Sequence, residues 1–174
     1  MEPVVEPAVE MPQMSAYGVA RETWDGLPWS WAAERLGANR NYWVVTVSPA
    51  GQPHAMPVWG VWNAERNMFG FSCAPTARKL RNLMVNPLVS IANADTVECV
   101  SVQGVARLLA SEEPGREDWI SRYCAKYGAE VPGDLAEFVR SGAVIEVHPE
   151  VAFGMIESEA EFSSRATRWR FPGT

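Results

Sequence analysis

The chain is poor in the residues that build cross-linked or metal-braced proteins. Its 174 residues include three cysteines and two histidines. Cys73, Cys99 and Cys124 are odd in number, widely spaced and unaccompanied by His at zinc-finger intervals. This excludes a disulfide frame and points to reduced thiols, with no structural metal expected. No apolar run approaches the roughly 18 to 20 residues that span a bilayer, so a soluble, cytoplasmic protein without a membrane partner is expected. The opening stretch MEPVVEPAVEMPQM has three Glu and three Pro but no Lys or Arg, and it lacks both the basic start and the apolar centre of an export signal. Residues 1–14 therefore read as a flexible acidic tail, and residues 15–174 as one domain. Internal repeats are absent, as are Ser-His-Asp, paired-carboxylate and metal-ligating arrangements.

What is present is a globular composition, 47% apolar with eight Trp, carrying a marked asymmetry of charge. The net charge is −6. From Arg35 to Ala94, however, six bases face one acid, Glu65, a net of +5 that leaves −11 on the remainder. A cationic region inside an anionic protein suggests a local anionic ligand. Nucleic acid is not expected, because phosphate-backbone binding calls for a broad basic face and this chain has one basic cluster.

The coarse pattern is a meander of short strands. PWSWAAERLG reads as a helix with Ser30 as N-cap and Gly37 just past its end. Tyr42–Ser48 and His54–Trp62 are β-rich runs joined by the turn at residues 49–52. Pro57 removes a ladder donor, so the second strand is locally an edge, a bulge, or a stretch that faces something other than a neighbouring strand, such as a cofactor. MFGFS, LVSIAN, VECVSVQGVARLL and AVIEVHPEVAFGMI supply further strands, and PGREDWISRYCAKYG and LAEFVRSG supply helices. This order predicts a mainly β fold, a closed antiparallel barrel with flanking helices.

Chemistry concentrates in CAPTARKLRNLMVNP, Cys73 to Pro87. Leu80, Leu83 and Met84 form one apolar helical face, while Arg78, Lys79 and Arg81 crowd the rest of the turn. Like charges at i, i+3 disfavour a helix by about 0.2 to 0.5 kcal/mol per pair. No acid lies between Arg66 and Ala94 to offset this. One reading is a solvated surface turn. The other is a phosphate site, with Thr76 as N-cap leaving free N–H groups beside the cations. Charge-assisted hydrogen bonds of roughly 1.5 to 3 kcal/mol each would outweigh the repulsion.

A strand, a short turn with adjacent Arg-Lys and an Asn-Pro before the next strand together resemble the flavin-binding split-barrel family, the pyridoxamine phosphate oxidase-like proteins. The likeness runs from about Tyr42 to Leu109 and includes VTVSPAGQPHAMPV and GVARLL. It implies a split antiparallel β-barrel in which Arg78 and Lys79 hold a cofactor phosphate and Asn82 completes the anion pocket. It also implies that Met56, Pro57, Val58 and Trp59 run along the cofactor and that Ser72 and Cys73 add polar contacts. Two features depart from the family: Ala77 replaces a small hydroxyl residue before Arg-Lys, and ATRWRFPGT lacks the full Arg-rich ending that grips pyridoxal phosphate. Pyridoxamine phosphate oxidation is therefore not expected.

The aromatic stretches WSW, YW and VWGVW resemble the branch that uses the deazaflavin coenzyme F-420, whose phosphate carries a glutamate tail suited to the extra cations Arg35, Arg40, Arg66 and Arg81. The resemblance implies a homodimeric oxidoreductase acting on a small electron-poor enone, imine or quinone-like substrate. FMN is the alternative carrier, with haem or no cofactor beyond it. A non-catalytic carrier and a cofactor-free interaction domain remain open as roles. Trp59 and Trp62, three apart on a strand, should face opposite ways, each in core or dimer packing or on a ring. His54 reads as hydrogen-bonded or solvent-facing beside the turn, His148 has no assigned chemistry, and Cys73 and Cys99 read as small buried hydrophobes. Arg165, Arg168 and Arg170 line a partner's pocket or form a solvated tail balanced by Glu157, Glu159 and Glu161.

Overall fold

A computed structural model describes residues 5–131 and 133–173. In chain order its elements are β1 (Ala8–Glu10), α1 (Trp29–Ala38), β2 (Asn41–Val47), β3 (Pro53–Asn63), β4 (Met68–Cys73), α2 (Arg78–Leu83), β5 (Leu88–Asn93) and β6 (Glu98–Leu108). There follow α3 (Pro114–Tyr127), α4 (Leu135–Ser141), β7 (Ala143–Ile156), α5 (Phe162–Arg165) and β8 (Thr167–Arg170). All strand pairs are antiparallel. Strands β2, β3, β4, β7, β6 and β5 close on themselves, because β6 pairs with β7 as well as with β5, and β8 and β1 extend from β7. The mainly β split barrel with flanking helices is thus what the chain forms.

Alternation along the strands decides what fills the barrel. Tyr42, Val44 and Thr46 are buried while Trp43 is exposed, and their inward partners Ile91, Val102, Phe69 and Phe71 join the main core. Trp62 lies in this core and Trp59 packs against a second one, so the two Trp do face opposite ways. The second core lies outside the barrel wall, where α3 and α4 lay Trp119, Ile120, Tyr123, Leu135 and Val139 on Val61, Met68 and Val144. Gly70 permits this contact, since a Cβ there would overlap the Trp119 ring.

Several local expectations are corrected. Residues 8–10 of the expected acidic tail form a strand against β8, with Glu10 paired to Arg168 at 3.5 Å and to Arg170 at 3.0 Å; residues 1–4 lie outside the described residues. The strand is made by backbone pairing with β8, and the two ion pairs to Glu10 take Arg168 and Arg170 out of a solvated tail. Arg165 pairs with Asp25 instead of with the nearby glutamates. The N-cap position of helix α1 is Pro28, not Ser30, and the helix continues through Gly37 to Ala38.

Candidate functional site

The cation turn lies where the barrel wall is incomplete. Strand β3 pairs with β2 over Pro53–Trp59 and with β4 only over Gly60–Asn63. Pro57 therefore occupies the half of β3 that carries a strand on one side, a place where a missing N–H is tolerated. Helix α2 packs against β2 and buries Leu80 and Leu83 in the main core. Those two side chains and Asn82 hold the helix down, and its other face presents Arg78, Lys79 and Arg81.

Asn82 does not complete an anion pocket. It is 3% exposed and donates from Nδ2 to Thr46 Oγ1 at 2.9 Å, so it anchors α2 to the barrel. Nor does Thr76 cap the helix: the N-cap is Ala77, without a side-chain hydrogen bond. Arg81 reaches back to the Thr76 carbonyl at 3.0 Å. Arg78 Nη1 stands 3.5 Å from His54 Nδ1, so the histidine beside the turn belongs to the cation cluster. Among the described residues neither Arg78, Lys79 nor Arg81 has a carboxylate partner.

The remaining cations of the basic region differ in this respect. Arg35 pairs with Glu98 at 2.6 Å, Arg40 with Glu130, and Arg66 with Glu146 at 3.4 Å. Sequence spacing could not reveal these partners, which lie 63, 90 and 80 positions away in the chain. The positive field that the sequence spread over sixty residues contracts onto α2.

The other expected contact residues divide between two faces. Met56 shares the inward face of β3 with His54 and is 54% exposed at the barrel end, while Val58 on that face is buried. Pro57 and Trp59 point outward. Trp59 is not free as a stacking platform, because its ring lies on Tyr127 at 4.7 Å and 9° with the Arg40 guanidinium 5.1 Å from its centroid. Ser72 and Cys73, at the end of β4, line a cavity of about 220 Å³ with Tyr123, Phe138, Ser141 and Gly142. Both cysteines singled out as small buried hydrophobes, Cys73 and Cys99, are only half-buried. Burial pushes the Cys73 thiol up despite the opposing pull of Lys79, and it pushes the Tyr123 hydroxyl up as well. Both groups stay protonated at neutral pH, so the cavity offers hydroxyl and thiol donors and no nucleophilic thiolate. Tyr123, Phe138 and Ser141 were missed by sequence reasoning. Helix α3 was legible as amphipathic, but which wall its aromatic face would cover was not.

The donor set suits an anion. Arg78 stands against His54, and Lys79 and Arg81 share the same short helix with no carboxylate partner among the described residues; cations of this kind are the chemistry of a phosphate clamp. No group of His, Cys, Asp or Glu able to hold a metal ion occurs among the described residues, and no helix there is long and apolar enough to cross a membrane.

Comparison with known proteins bears on this arrangement. The family model for pyridoxamine 5'-phosphate oxidase matches residues 29–155, which include the whole cation turn and the barrel. Among solved structures the chain is similar to the haem storage protein HutZ from Vibrio cholerae (TM-score 0.58, 20% identity, 68% of this chain and 87% of that one). It is also similar to an F420 reductase (0.54, 21%, 68% and 93%) and to a FAD-binding protein from Mesorhizobium loti (0.57, 18%, 82% and 95%). At these identities the structures establish the fold alone. No curated protein matches in sequence.

Proposed function

The chain belongs to the pyridoxamine 5'-phosphate oxidase-like family, and on that footing we propose that it is an oxidoreductase holding a phosphate-bearing flavin or deazaflavin at Arg78 and Lys79. The observation that carries this reading is the cluster of three cations left without a carboxylate. We take coenzyme F-420 as the carrier, since Arg81 offers a third, exposed cation to an acidic tail beyond the phosphate. FMN is the second reading. It is favoured by the engagement of Arg35, Arg40 and Arg66 with their own carboxylates, which leaves a compact clamp for one phosphate.

The chain's own part in the reaction is to bind and orient. Arg78, Lys79 and His54 fix the phosphate end. Met56 extends the same face of β3 toward the barrel interior, and the cavity beside Ser72 and Cys73 is of a size for a small acceptor. When bound, the coenzyme supplies a hydride for an electron-poor enone, imine or quinone-like acceptor. A carrier without turnover needs the cation turn but no such cavity, which favours the enzyme. Oxidation of pyridoxamine phosphate is disfavoured: Arg168 and Arg170, which a substrate grip would use, are bound to Glu10.

We further propose a homodimer. The outer face of β2, the first half of β3 and β5 is not covered by helices, and it exposes Trp43 at 46% and Leu88 at 55%, beside exposed Pro57. A contiguous apolar sheet face of this kind marks an interaction surface. The catalytic reading is tested by mixing reduced F-420 with the protein and a panel of enone, imine and quinone acceptors without oxygen. Oxidation that depends on both protein and acceptor is expected. Stoichiometric binding of F-420 with no reduction of any acceptor would assign carriage instead.

A further inference from the structure

A second polar centre is built on β7 beside β4: Glu146 stands opposite Gly70, and Arg66 reaches it from the turn that precedes Met68, the end of β4 away from the cation turn. Glu146, in the apolar run AVIEVH, is 1% exposed. A buried carboxylate costs several kcal/mol to desolvate unless it is well paired, and this one has four partners. Trp119 Nε1 donates to it at 2.8 Å, Arg107 Nη2 at 3.1 Å and His148 through Nε2 at 2.9 Å. Arg66 Nη1 approaches only to 3.4 Å, and its guanidinium has no nearer partner among the described residues.

The approach of Arg66 follows from its turn. Glu65 N–H donates to Asn63 Oδ1 at 3.1 Å and Arg66 N–H to the Asn63 carbonyl at 3.3 Å. Asn67 closes the turn at φ 48°, a left-handed conformation that Asn tolerates better than most residues. The hairpin thereby carries Arg66 over a cavity of about 320 Å³, lined also by Asn67, Met68, His148, Phe171 and Pro172. This is within the size range of small-ligand sites. Glu146 takes His148 Nε2, which leaves Nδ1 as the imidazole nitrogen free of the carboxylate. Arg66 brings several unspent N–H donors to the same cavity, while Met68, Phe171 and Pro172 offer apolar walls.

We propose that this cavity is a binding site for a small organic carboxylate with an apolar body, gripped by Arg66 and assisted by His148, with Glu146 as the residue that positions both. The geometry suits a fork-to-carboxylate pair. The site does not depend on the proposed coenzyme, because none of its residues belongs to α2 or to the cavity beside Ser72.

The full chain has two histidines, so the imidazole resonances can be assigned with a single His54→Gln variant. Titration with benzoate should shift the His148 signals saturably and leave those of His54 in place. Arg66→Gln should weaken benzoate at least tenfold, the effect of about 1.4 kcal/mol, and Arg66→Lys should fall between, with thermal melts showing that both variants fold. A His148 signal unmoved by benzoate would overturn the proposal. So would an Arg66→Gln variant that folds and binds benzoate as the wild type does, or an inorganic phosphate titration that shifts His148 as strongly at the same concentration.

Discussion

Asn82 donates to the Thr46 hydroxyl over 2.9 Å with both side chains buried, and this bond ties the helix bearing Arg78 and Lys79 to strand β2. Replacing Asn82 with Ala strands a buried hydroxyl and loosens the helix. The expected cost is about 1 to 3 kcal/mol of stability, measured as a lower urea midpoint. Coenzyme affinity should fall far less than in an Arg78 variant, because Asn82 faces the core and not the ligand.

Glu146 makes stability depend on pH in a defined direction. Burial pushes its carboxyl up, but the hydrogen bonds from Trp119 and Arg107 and the charges of Arg66 and His148 outweigh burial, so the group sits below its ordinary value of 4.5. A carboxyl lowered on folding contributes stability above its unfolded value and loses it as pH falls through the folded one. The wild type should therefore shed an increment of stability below about pH 4.5 that Glu146→Gln lacks. Urea midpoints of the two proteins across that range measure the difference. At neutral pH the variant should be weaker by about 1 to 3 kcal/mol.

Gly70 is the point of closest approach between barrel and α3. Gly70→Ala would drive a methyl group into the Trp119 ring. Overpacking of this kind costs typically 1 to 3 kcal/mol. Calorimetry should show a lower Tm, and the Trp119 bond to Glu146 should loosen with it.

The exposed Trp43 tests the dimer. Sedimentation velocity should find the wild type as a dimer and Trp43→Glu as a monomer with an unchanged circular dichroism spectrum. A monomeric wild type would contradict the proposed interface.

Much of this architecture was legible in the sequence because its signals are local. Alternation in YWVVTVS and the turn at Gly51 placed β2 and β3, and β7 matches the run AVIEVHPEVAFGMI residue for residue. What was not legible depends on distant partners. Strand β1 is three residues long and pairs with β8, which arrives about 160 positions later in the chain. That Arg66 belongs beside Glu146 and not with the cations of α2 depends on a partner 80 positions away, and helical spacing gives the neighbours of Asn82 but not the direction of the barrel. A lone acid inside an apolar strand was the visible sign of the Glu146 centre, and its meaning needed Trp119, Arg107 and His148 to be seen around it.

The most direct measurement is an absorbance titration of the wild type and an Arg78→Ala, Lys79→Ala double variant with F-420 and with FMN. Two charge-assisted bonds of about 1.5 to 3 kcal/mol each are removed, so the variant should bind at least a hundredfold more weakly while melting at the wild-type temperature. Equal affinity in both proteins, or a wild type that takes up neither coenzyme, would contradict the role given to the cation turn.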